Sequence, residues 1–130
     1  MISFWYTILY VADVQKSLQF YQDIFDLPLK FCTPESDYAE LITGTTTLAL
    51  GKHSLIQSSL LDDYEVSSLQ KKSFGIEIGF TTDDVDGLYK KALEHGALWV
   101  VEPKDVPWGQ RVSYVRDPDG FLIEICTVVG

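Results

Sequence analysis

Two glutamates stand where a glutamate is costly. Glu77 opens the strand-like run Glu-Ile-Gly-Phe, and Glu124 lies inside Leu-Ile-Glu-Ile-Cys. A carboxylate among apolar neighbours needs a cation, a base or a proton to offset its lost hydration. Side chains alternate across a strand. Ile76, Ile78 and Phe80 therefore share one face and leave Glu77 and Gly79 on the other. By the same count Ile123 and Ile125 oppose Leu122, Glu124 and Cys126. Two carboxylates on one inner sheet face form a candidate proton-transfer or cation site, with Glu77 and Glu124 as catalytic residues. The alternative is a pair of solvated glutamates, or glutamates paired with Arg111 or Arg116.

Other side chains join that face by the same alternation. Tyr6, Ile8 and Tyr10 oppose Leu9 and Val11 in the first strand, and Tyr38, Glu40 and Ile42 fall together in a later one. Trp108 sits in a loop with two prolines, where it either lines a pocket or caps the core. Arg111, at the entrance of the next strand, could meet a cleft carboxylate or an anionic ligand group. Tyr6, Tyr38, Trp108 and Arg111 are the candidate ligand contacts. His95 precedes Gly96 at a helix end, where a cation suits the helix dipole, and His53 reads as a loop histidine. No Ser/His/Asp or Cys/His constellation, phosphate loop or HExxH pattern is present.

The elements that must position these residues occur twice. A strand rich in aromatic and β-branched residues ends near Val11. A helix over 14–26 follows, capped by Asp13 and stopped by Pro28. Strand candidates lie at 29–33, 38–43 and 45–50, with Gly44 turning between the last two. The second half repeats the order: a strand at 76–80, a helix over 84–95, then strands at 97–101, 110–116 and 121–127. Val85, Tyr89 and Ala92 stand at the spacing of Val14, Leu18 and Tyr21. Asp117 to Gly120 reads Asp-Pro-Asp-Gly, a hairpin turn. The expected architecture is α+β: two paired βαβββ modules forming an open, curved mixed sheet with helices outside. One domain spans 1–130, with module 1 at about 1–53, a connector at about 54–73 and module 2 at about 74–130.

The chain carries 19 acidic and 10 basic residues, a net charge of −9. That field repels phosphate, so no nucleic acid and no anionic membrane surface is expected as a partner. No apolar run approaches the length of a membrane span, and no signal peptide is evident. Cys32 and Cys126 lack metal or redox spacing and read as reduced core thiols of a cytoplasmic protein.

Three segments carry a family resemblance: LYVADVQKSLQFYQDIFDL, GFTTDDVDGLYKKALEHGA and PWGQRVSYVRDPDGFLIEI. The chain resembles the vicinal oxygen chelate superfamily of glyoxalase I, the bleomycin resistance proteins and the extradiol dioxygenases. The resemblance implies paired modules in a homodimer. It also implies four equivalent metal-ligand positions, which fall here on Tyr6, Glu40, Glu77 and Glu124. The family usually has histidine at the first and third of these, so the carboxylates Glu40, Glu77 and Glu124 remain as metal ligands. Such an oxygen set suits harder ions. The implied cofactor is one divalent ion (Mg, Mn, Ni or Zn) or none. Three functions stay open: a glyoxalase-like lyase or isomerase, a non-catalytic protein sequestering a cationic antibiotic or other small ligand, and a protein that uses its sheet edges for association.

Overall fold

The computed structural model describes residues 1–129, which divide into two compact units, Met1–Val66 and a second that starts at Ser67. The first unit runs β1 (Tyr6–Val11), α1 (Val14–Phe25), β2 (Leu29–Cys32), β3 (Tyr38–Ile42), β4 (Thr47–Lys52) and α2 (His53–Leu60). The second runs β5 (Glu77–Thr81), α3 (Val85–Glu94), β6 (Leu98–Asp105), β7 (Arg111–Arg116) and β8 (Leu122–Cys126). Each unit holds one four-stranded mixed sheet, ordered β1-β4-β3-β2 and β5-β8-β7-β6. In each, the first strand pairs parallel with the last, and the other pairings are antiparallel. The fold is α+β with two open sheets.

Asp13 caps α1 by accepting the Lys16 N–H at 3.1 Å. The helix ends where Asp26 takes a left-handed conformation, two residues before Pro28. Its buried stripe of Val14, Leu18, Tyr21 and Ile24 covers the sheet face bearing Leu9, Val11, Ala39, Leu41, Leu48 and Leu50, all buried. Asp84 caps α3 in the same way through the Gly87 N–H at 2.9 Å. Val85 and Ala92 of α3 are buried, as are Val115, Ile123 and Ile125 of the second sheet.

One element was not legible in the sequence. The stretch read as a connector opens with α2, which has no side-chain cap at Lys52 and no buried residue. Contacts hold it instead. A Cβ on Gly51 would lie 2.9 Å from Ile56 Cδ1, so the missing side chain lets Ile56 of the helix rest directly on the strand. Behind it, His53 Nδ1 lies 2.7 Å from the Tyr64 hydroxyl, and Tyr64 packs edge-on against Tyr10.

The second unit closes on a tied hairpin. Asp117 N–H donates to the Phe121 carbonyl, while Asp117 Oδ1 accepts from Asp119 and Phe121. Buried Arg116 donates to the Gly120 carbonyl at 2.9 Å and the Ser68 carbonyl at 3.0 Å. Gly120 has φ of +90°, and a Cβ there would meet the Ser68 carbonyl at 2.7 Å.

Candidate functional site

Glu77 and Glu124 come together in the second unit. Strands β5 and β8 run parallel with Gly79 opposite Glu124 and Leu122 opposite Glu77. Gly79 offers no side chain, and Glu77 lies diagonally across from Glu124. A hydrogen bond between the two carboxyl groups would need one shared proton. That bond, then burial, then the charge of Glu124 push the Glu77 carboxyl up to about 7.

Two further acids converge on Glu124. Tyr114 stands opposite it across β7 and β8. Burial first, then the charges of Glu124 and Glu77, raise the Tyr114 phenol above its ordinary value, with a hydrogen bond to Glu124 adding to the shift. The buried Cys126 thiol is raised by the same causes, burial leading. Tyr114 was missed in the sequence, although a signal existed. A hairpin closed by Asp117 and Phe121 sets the register that brings Tyr114 opposite Glu124.

A second cluster forms on the face of the first unit's sheet opposite α1. Glu40 is only 4% exposed, between Phe31 and Ala49 in register. The Tyr38 hydroxyl donates to its carboxylate at 2.7 Å, and Lys30 Nζ lies 3.6 Å away. The Lys30 ammonium also stands 5.9 Å from the centre of the Trp5 ring. Burial, then the bond to Glu40, then its charge raise the Tyr38 phenol, and Tyr6 adds a smaller push. Trp5, Tyr6 and Phe31 flank the cluster with about half of each surface exposed. Lys30 was not singled out in the sequence, because the irregular register between Leu29 and Phe31 hides where it reaches.

The remaining candidates are engaged elsewhere. Arg111 bonds Asp86 of α3 at 2.9 Å and Asp105 at 3.2 Å. It shares the strand parity of Ser113 and Val115, which are buried, so alternation directs it to α3 and away from the face of Glu124. Trp108 is exposed, and its ring N–H donates to Gln110 at 2.6 Å.

In the first unit the surroundings of Glu40 do not suit a divalent ion. Glu40 already faces a cation, Lys30, and a hydroxyl donor, Tyr38. Strand β4 holds in the first sheet the place of β8 in the second, and Ala49 lies opposite Ile8 as Glu124 lies opposite Gly79. The first-unit counterpart of Glu124 is therefore Ala49, and Glu40 sits one strand over. Among the described residues no group of three or more His, Cys, Asp or Glu is placed to hold a metal ion.

Comparison with known proteins agrees with this architecture. Residues 4–129 match the glyoxalase-like domain family, and the chain belongs to that family. It is 33% identical to an uncharacterized protein of Bacillus subtilis, over 90% of this chain and 91% of that one. It is 32% identical to a probable lactoylglutathione lyase of Synechocystis, over 92% and 91%. The crystal structure of a glyoxalase-related enzyme from Fulvimarina pelagi superposes with a TM-score of 0.83 at 19% identity, over 98% and 89% of the two chains.

Proposed function

We propose that this glyoxalase-like protein binds a small organic cation on the face of the first unit's sheet opposite α1, without a resident divalent ion. One observation carries the reading: the buried Glu40 carboxylate, set among Trp5, Tyr6, Phe31 and Tyr38, already holds an ammonium group. A carboxylate beside an aromatic face attracts a cation by charge and by the ring quadrupole together. The net charge of −9 raises the local concentration of cations around the chain. Arg111 has no part in this reading, since it is spent on Asp86 and Asp105.

The test is the affinity for benzylammonium against benzyl alcohol, which differ in charge and little in shape. A preference for benzylammonium of about tenfold is expected from an aromatic contact plus a carboxylate. Equal affinities would remove the cation reading.

A lyase or isomerase reading rests on a separate observation, the proton-sharing pair Glu77 and Glu124. One carboxylate with one carboxylic acid can accept a proton from carbon and return one to oxygen. The name of the Synechocystis relative points the same way. Its test is the formation of S-lactoylglutathione from the hemithioacetal of methylglyoxal and glutathione, with Mg, Mn, Ni or Zn added, and with none. Turnover that depends on a stoichiometric metal would replace the metal-free reading.

A further inference from the structure

We propose that Lys30 is a built-in occupant of the cation site, so that a cationic ligand binds by displacing the chain's own ammonium. The inference rests on the cation reading above and adds a residue that sets its affinity. Three features mark the place as an ammonium site. Glu40 supplies a buried carboxylate, Tyr38 fixes that carboxylate through a 2.7 Å hydrogen bond, and Trp5 supplies a ring face.

The fixed and movable parts of the site differ. Glu40 belongs to the interior strand β3 and is paired in register on both sides, to Phe31 and to Ala49. The sheet holds its backbone and the Tyr38 hydroxyl holds its carboxylate. Lys30 lies in the edge strand β2, and its side chain is 45% exposed. Its 3.6 Å separation from Glu40 is longer than the ~2.8 Å of a tight charge-assisted hydrogen bond. An ammonium on a flexible four-carbon stem recovers its hydration by swinging outward. Displacement therefore moves only the flexible partner and leaves the carboxylate and rings in place.

This arrangement also sets selectivity. A simple alkylammonium offers Glu40 only what Lys30 offers, and it gains little by exchange. A cation joined to an aromatic ring adds stacking on the half-exposed Trp5, Tyr6 and Phe31. The favoured ligand class is thus an aromatic organic cation. The tethered lysine screens Glu40 from ordinary solution cations.

The experiment measures calorimetric dissociation constants for benzylammonium and benzyl alcohol with the wild-type chain, Lys30→Met and Lys30→Arg. Methionine keeps an unbranched stem over the sheet and removes the competing charge. Lys30→Met should bind benzylammonium roughly three- to tenfold tighter, the range set by an exposed ion pair with a cation–π contact. Its affinity for benzyl alcohol should stay unchanged, and Lys30→Arg should bind benzylammonium no tighter than wild type. Lys30→Gln takes the place of the methionine variant if that chain does not fold. Unchanged or weaker benzylammonium binding by the uncharged variant overturns the proposal while leaving the cation reading intact. If the wild type does not prefer benzylammonium to benzyl alcohol, the cation reading falls and the proposal with it.

Discussion

Glu77 shows how one side chain reports its neighbour. Its carboxyl is held up to about 7 chiefly by the hydrogen bond to Glu124. Glutamine at 124 carries no charge and offers an amide N–H to the Glu77 carboxylate, which favours the ionised form. The Glu77 midpoint in Glu124→Gln, followed by NMR titration of the side-chain carbon, should therefore fall toward the ordinary 4.5. A midpoint still near 7 would mean that burial dominates. The same shift has a consequence for stability. Glu77 binds its proton more tightly in the folded chain than in the unfolded one, so its contribution is complete below pH 4.5 and is lost as pH rises through about 7. Denaturant midpoints should decline over that window in wild type and stay flatter in Glu77→Gln. Glu94→Gln, on α3, should follow the wild-type curve. The glutamates themselves were legible in the sequence, because a charge in an alternating apolar strand stands out. Arg111 was less so. Its strand entrance suggested a cleft role, but its parity with Ser113 and Val115 turns it toward Asp86.

At the scale of elements, the two capped helices were readable and α2 was not. Helices α1 and α3 each follow an aspartate whose side chain accepts a backbone N–H, and each buries an apolar stripe. Helix α2 has neither signal. It depends on tertiary contacts that sequence spacing does not encode, such as Ile56 over Gly51. The α3 cap makes a test with a definite sign. Asp84→Ala should cost about 1 kcal/mol through the lost bond to the Gly87 N–H. Gly87→Ala alone should gain less than the ~1 kcal/mol that alanine brings to a helix interior. The reason is that the new Cβ would collide with the Asp84 carboxylate and disturb the cap. In the Asp84→Ala background the collision is gone, and Gly87→Ala should recover the full propensity gain. Denaturant unfolding of the four proteins measures the coupling. Simple additivity would show that the cap geometry does not constrain residue 87.

For the whole molecule, the repeated order of strand, helix and three strands was the most legible feature, since both sheets share one topology. We infer association of two copies from what that topology leaves open. Strand β6 lies at a sheet edge, and its first half exposes Leu98, Trp99 and Val100. Register shifts run from Trp99 to Lys104, and Pro103 and Lys104 further blunt the second half. An exposed apolar edge invites pairing or covering. Two copies meeting there must overcome the repulsion of −9 on each chain. Sedimentation at micromolar concentration should give twice the chain mass of 14.7 kDa. Added salt should strengthen the dimer, because screening acts on the repulsion and leaves apolar burial in place. Reducing agent should leave it unchanged, as Cys32 and Cys126 are free thiols in this structure. Trp99→Lys puts a charge on the apolar half of the edge and should yield a folded monomer with unchanged far-ultraviolet circular dichroism. A wild-type monomer at that concentration, or a Trp99→Lys dimer as tight as wild type, would remove β6 as the contact.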